Sequence, residues 1–471
     1  MRNVIPHKDS DVSEGATMHD GRLRAVIEAV TPEIDGGRFP AKRIVGDQVV
    51  VEADILADGH DVLSACLMYR RDGERQWIEV PMEPLVNDRW IGAFEVSELG
   101  VYRYTLAAWV DQFESWRRSL AKKSAAEQDI SIDLLTGARM IAEAGRHAKK
   151  PHARIMQQWA ATLRSRASPT SDKAEIALSE EVSELMSRYA RRDFATTYPK
   201  ELAVVVDRER ARFGAWYEMF PRSCAATPGR HGNFKDCESR LAYVSAMGFD
   251  VLYLPPIHPI GLTYRKGKNN SPNAGPDDPG SPWAIGGPEG GHKAVHPKLG
   301  SLKDFQRLAA RAKEYNMEIA LDLAFNCTPD HPYVQEHPEW FRRRPDGSIQ
   351  YAENPPKKYQ DIYPLDFEAE EWRHLWEEMR SIVLFWIQQG VRIFRVDNPH
   401  TKPFRFWEWL IKAVKKDHPD VIFLSEAFTR PKVMYHLAKL GFTQSYTYFA
   451  WRNANWELTQ YFTELTQTGV R

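Results

Sequence analysis

The sequence predicts a multidomain chain: an amino-terminal β-sandwich with a helical insert, then a (β/α)8 barrel of the TIM type that is incomplete in this sequence. Three observations predict it. Short apolar runs alternate with polar residues between turn signals as far as about Leu120; the hydrophobic period then lengthens from 2 to about 3.6 as far as Arg192; and from Arg212 strands and helices alternate strictly. The expected division is a disordered tail over 1–21, the sandwich over 22–122, the helical insert over 123–200 and the barrel over 201–471.

In the sandwich, strands are expected at Val49 to Ala53, Leu63 to Tyr69, Trp77 to Val80, Trp90 to Phe94 and Val101 to Val110, with turns at Asp58-Gly59, Asp72-Gly73 and Asn87-Asp88. Two or more amphipathic helices follow, with a linker from Ala167 to Lys173 and a packing stripe at Leu178, Val182, Leu185, Met186 and Tyr189. Barrel strands are expected at Ala215 to Phe220, Phe249 to Leu254, Met317 to Phe325, Val391 to Val396, Val421 to Ser425 and Gln444 to Phe449. Helices at Phe234 to Met247, Leu302 to Tyr315, Glu370 to Gln389, Phe404 to Lys416 and Pro431 to Lys439 separate them, with an irregular excursion at about 328–367 after strand three. Six strands leave a barrel two short of closure, so the reading expects a carboxyl-terminally truncated chain.

Composition excludes several classes. The 471 residues are 43% hydrophobic, and 63 basic residues nearly cancel 64 acidic ones, for a net charge of -1. Neither nucleic acid nor a membrane surface is therefore expected as a partner. Residues 1–21 are polar and charged, with no apolar leader, and the expected location is the cytoplasm. Cys66, Cys224, Cys237 and Cys327 fall in no metal-ligand spacing and are expected to be buried thiols. A helical insert of this kind often makes subunit contacts, and a homodimer is expected.

The chemistry centres on Gly390 to His400, which reads G-V-R-I-F-R-V-D-N-P-H. Charge inside a strand buried on both faces is costly unless paired. Arg395 and Asp397, two residues apart, project to one face. A purely structural ion pair is the competing reading. Strand three ends in Asp322-Leu323-Ala324-Phe325-Asn326 and strand five in Leu424-Ser425-Glu426. Barrel strand ends converge on one mouth, so Asp397 and Glu426 are candidate partners. Two carboxyl groups about 5 Å apart are what a retaining glycosidic displacement needs. Arg395 would keep Asp397 ionised, while Phe423, Leu424 and Ala427 would raise the pKa of Glu426. Asp322 reads either as a structural acid holding Arg395 or as a substrate contact.

The pieces D-L-A-F-N-C, G-V-R-I-F-R-V-D-N and F-L-S-E resemble the first three signature regions of the α-amylase superfamily, glycoside hydrolase family 13. Ile257-His258-Pro259-Ile260-Gly261, Tyr264 to Asn270, Cys327 to Pro332 and Glu353 to Pro364 narrow the resemblance to its α-1,4-glucan:maltose-1-phosphate maltosyltransferase subfamily. The resemblance implies transfer of a maltosyl unit from α-maltose 1-phosphate to an α-1,4-glucan, as in glycogen synthesis, with Asp397 as nucleophile, Glu426 as acid and base, and no metal or other cofactor. It implies a phosphate and sugar pocket from Lys266, Asn326, Asn354, Lys357, Tyr359 and Asn398, with Asp322 beside it. One departure stands out: Asn326 occupies a position where the subfamily usually has Gln. A third carboxylate is expected beyond Arg471. An α-glucan hydrolase of the same fold and a non-catalytic barrel module are the alternatives.

Overall fold

The computed structural model describes residues 20–467, so the tail expected over 1–21 lies, except for its last two positions, outside the described residues. Two compact units divide the chain, one of residues 1–41, 48–95 and 102–204, the other of residues 42–47, 96–101 and 205–471.

The first unit holds the sandwich and the helices. Along Gln48–Ala57 the side chains of Val49, Val51, Ala53 and Ile55 are fully buried while their neighbours face outward, the period of a half-buried strand. This strand lies between Ala25–Thr31 and Arg89–Glu95, antiparallel to both. In the second sheet Leu63–Arg71 pairs antiparallel with Gly100–Val110 on one side and Ile78–Pro81 on the other. The sheets meet where Tyr69 stacks on Phe94 with ring centroids 4.3 Å apart. The β pattern ends earlier than about Leu120: Gln112–Ala125 is a helix, started by the Asp111 carboxylate accepting from the Glu114 N–H. Its stripe of Phe113, Trp116 and Leu120 joins a core with Ile141, Met156, Leu163 and Val182 from the helices Ser131–His147, Lys150–Arg164 and Glu180–Tyr189. The linker is narrower than expected, because the helix Thr170–Leu178 begins inside it.

In the second unit six strands form one parallel sheet in chain order: β1 Trp216–Glu218, β2 Val251–Leu254, β3 Glu318–Leu323, β4 Ile393–Asp397, β5 Ile422–Glu426 and β6 Gln444–Ser445. Helices Leu302–Glu314, Trp372–Gln388, Phe404–Asp417 and Pro431–Lys439 fill the crossovers after β2, β3, β4 and β5. The helix expected over Phe234 to Met247 is broken into Phe234–Glu238 and Leu241–Ala246, with the Arg240 N–H turning back onto the Cys237 carbonyl. Strand six is shorter than its apolar run, because the Thr447 hydroxyl caps a turn at Tyr448–Trp451. The excursion after β3 holds its own pairings: Asn326–Cys327 with Tyr363–Pro364, and a hairpin of Ala352–Asn354 with Lys357–Tyr359. Among the described residues no helix is long and apolar enough to cross a membrane.

Helix packing in the first unit yields a test. A Cβ on Gly137 would lie 2.1 Å from the Trp116 ring, which is held by its Nε1–H bond to the Asp133 carbonyl and is 9% exposed. Gly137→Ala would favour the helix by about 1 kcal/mol, but overpacking of this kind costs about 1–3 kcal/mol. We expect a net fall in melting temperature; a rise would show that Trp116 can move aside.

Candidate active site

The register of three neighbouring strands assembles the site. Asp322 on β3 sits opposite Arg395 on β4, and Asp397 at the end of β4 sits opposite Glu426 at the end of β5. All three carboxylates surround one guanidinium. Arg395 Nη1 donates to Asp322 Oδ2 at 3.0 Å and to Asp397 Oδ1 at 2.8 Å, while Nη2 lies 3.7 Å from Glu426 Oε2. The rings of Tyr253 and Tyr446 each lie 5.8 Å from the Arg395 guanidinium carbon.

Asn398 ties the two strand ends together. Its φ of 43° is left-handed, a conformation Asn adopts more readily than most residues. That turn aims its N–H at Glu426 Oε2, 3.2 Å away, while its side-chain amide donates to Asp397 Oδ2 at 3.2 Å. Thr401 Oγ1 donates to the Asn398 carbonyl and Trp407 Nε1 to the Pro399 carbonyl, pinning the loop.

The acids differ in setting. Burial raises the Glu426 carboxyl above the ordinary glutamate range; Arg395 and the Asn398 N–H pull it back, and the charge of Asp397 adds to the rise. Burial also lifts Asp322, to about 7, against the pull of Arg395. Burial opposes the charge on Arg395, but Asp322, Tyr253, Asp397 and Glu426 outweigh it and raise its pKa.

The predicted residues fall into three groups. Arg395, Asp397, Glu426, Asn398 and Asp322 form one network. Within it the Asp322 side chain has no exposed surface; its Oδ2 accepts from Tyr253 at 2.5 Å, Trp283 at 3.3 Å and Arg395. That is the position of an acid holding the arginine, one of the two readings the sequence leaves open for it. Lys266, 7% exposed, donates to Gln360 Oε1 at 3.1 Å. Asn354 and Lys357 face each other at the exposed tip of the hairpin, Tyr359 is half-buried opposite Ala352, and Asn326 pairs through its backbone with Pro364. Among the described residues no hydrogen bond joins Lys266, Asn326, Asn354, Lys357 or Tyr359 to Asp397 or Glu426.

Sequence reasoning missed Tyr253, Trp283, Tyr446, Gln360 and Lys402. A tyrosine inside a strand buried on both faces needs a partner for its hydroxyl, a signal that could have found Tyr253. Lys402 follows β4; burial lowers its pKa, and the charge of Asp397 opposes the shift. Cys327 and His331 cluster with His292, all buried, with their ligating atoms within 4.8 Å of one another. The tautomers oppose a metal there. His331 Nδ1 accepts from the Tyr333 N–H, so its Nε2–H donates to His292 Nδ1, whose Nε2–H is left for the Ala324 carbonyl. Burial holds the Cys327 thiol far above its usual pKa.

The chain matches two family models: the α-1,4-glucan:maltose-1-phosphate maltosyltransferase domain N/S over residues 23–208 and the α-amylase catalytic domain over residues 218–374. A maltosyltransferase of that name from Chlorobaculum tepidum is 53% identical over 452 residues, which are 96% of this chain and 67% of the relative. Those from Methylacidiphilum infernorum and Myxococcus xanthus are 49% and 52% identical, over 99% and 95% of this chain and 69% of each relative. With identity near one half over 95% or more of its length, the chain belongs to the α-1,4-glucan:maltose-1-phosphate maltosyltransferase family.

Proposed function

We propose that the protein moves a maltosyl unit from α-maltose 1-phosphate to the non-reducing end of an α-1,4-glucan, with retention and release of phosphate. The single observation that carries this reading is the Arg395 guanidinium shared by two strand-end carboxylates in unlike settings. Asp397, bonded to Arg395 and Asn398, is the nucleophile: it attacks C1 as the C1–O bond to phosphate breaks and the leaving oxygen takes the electron pair. Glu426 enters protonated, favoured by its burial, and gives that proton to the departing phosphate. The product is a β-maltosyl-enzyme. Glu426, now ionised, removes the proton from the acceptor 4-hydroxyl; that oxygen attacks C1 and Asp397 departs, restoring the α configuration.

Lys266, Lys357, Asn354, Tyr359, Asn326 and Asn398 make up the donor pocket of this reading, cations and amide donors being what a phosphate wants. Cytoplasmic action on a glycogen-type glucan by a homodimer completes it. The four free, buried cysteines suit a reducing compartment.

The reading is tested by supplying α-maltose 1-phosphate with and without a maltooligosaccharide. Phosphate release that depends on the acceptor is expected, together with a fluorosugar adduct on Asp397; acceptor-independent release would mark a hydrolase. On the raised carboxyl of Glu426, kcat/KM for the phosphate donor should fall as pH climbs through its pKa and the proton is lost. Glu426→Gln should remove that alkaline limb and cost about 100- to 10,000-fold with this donor. A limb that persists would assign the acid elsewhere. Lys357→Ala should raise KM for α-maltose 1-phosphate about tenfold while sparing α-maltosyl fluoride. Equal losses with both donors would remove Lys357 from the phosphate pocket.

A further inference from the structure

We propose that Gln360 is a positioning residue for the donor phosphate, fixing the buried Lys266 ammonium without neutralising it. The inference rests on the maltosyl-phosphate reading above. An ammonium has three N–H donors, and a buried one is costly unless it is matched. Lys266 Nζ, on a side chain that is 7% exposed, bonds to the neutral amide oxygen of Gln360 at 3.1 Å. That bond uses one donor and no charge. The next residue, Asp361, is 2% exposed, and its Oδ1 has no hydrogen-bond partner among the described residues. Burial raises its pKa, with Lys266 pulling the other way. Among the described residues the ammonium forms no ion pair with Asp361, the buried acid next to Gln360 in the chain, and an uncharged amide holds the cation instead.

The hairpin explains why Gln360 is the residue in that place. Lys357 and Asn354 pair at its tip, and the strand Lys357–Tyr359 runs directly into Gln360 and Asp361. The Ala352 N–H bonds to the Ile362 carbonyl and the Ile362 N–H to the Tyr359 carbonyl, closing the base. One five-residue segment therefore carries Lys357 at its start and holds Lys266 near its end. Two lysines from separate loops gain a fixed relation through a single side chain. A carboxylate at position 360 could make the same hydrogen bond but would cancel the charge that a phosphate must meet.

Gln360→Glu is the direct test. It keeps size and hydrogen bond and adds one negative charge, so KM for α-maltose 1-phosphate and the inhibition constant of inorganic phosphate should each rise about tenfold or more, with kcat/KM for α-maltosyl fluoride within about twofold of the parent. Gln360→Met, which loses the hydrogen bond but adds no charge, should raise the same KM by a smaller factor. Equal losses with both donors, or a Gln360→Glu protein that uses α-maltose 1-phosphate as well as the parent, would overturn the proposal. A parent that releases no phosphate from α-maltose 1-phosphate would instead overturn the functional reading beneath it.

Discussion

One buried cation organises the centre of the second unit. Arg395 meets Asp322, Asp397 and Glu426 at 3.0, 2.8 and 3.7 Å, and a single positive charge cannot neutralise three negative ones on side chains so little exposed. At least part of the negative charge must be taken up by protons. The burden falls on the acids that burial lifts, Asp322 and Glu426. Asp397 makes the shortest of the three contacts and also accepts from the Asn398 amide. The proposed function needs a charged nucleophile beside a protonated acid, and charge balance around one arginine would fit that division. Removing the arginine would leave buried carboxylates without a cationic partner, which is worse than having no pair at all.

That arrangement depends on strand register. Side chains alternate with a period of two, so a slip of one residue between β4 and β5 would move Asp397 and Glu426 to opposite faces. Parallel pairing on both sides of β4 holds the register, with Ile393, Phe394 and Val396 buried between its neighbours. The left-handed turn at Asn398 then adds a backbone N–H to the Glu426 carboxylate, a donor that a shift along the chain would misdirect.

Much of this was legible in the residues, for a physical reason. Arg395, Asp397 and Glu426 are charges in strands too apolar to tolerate them unpaired, and such local conflicts are visible in one dimension. The parallel sheet was legible because period, turn signals and caps all agree along the chain. Other features were not. Tyr446 reaches Arg395 from just beyond β6 and Trp283 reaches Asp322 from a loop, contacts set by tertiary approach with no spacing to betray them. The helix at Gln112–Ala125 was hidden because Phe113, Trp116 and Leu120 continue an aromatic-rich strand, and only the cap at Asp111 separates the two. The hairpin within the excursion is three residues on each side, shorter than any periodicity can register.

The two kinds of residue in the proposed site also differ in what holds them. The acids and Arg395 sit at the ends of a buried sheet, where neighbouring strands fix them and small movements are resisted by close packing. Lys266, Asn354, Lys357 and Tyr359 sit on loops and a short hairpin, whose geometry rests on a few bonds such as that between Lys266 and Gln360. The proposed bond cleavage would need the first kind of support, because its nucleophile and acid would have to keep their separation through two opposite proton transfers. Choice of leaving group needs the second, since loops can be changed without disturbing the sheet. In the proposed function the sheet would supply the displacement, and the phosphate donor would be selected by loop contacts anchored through Gln360.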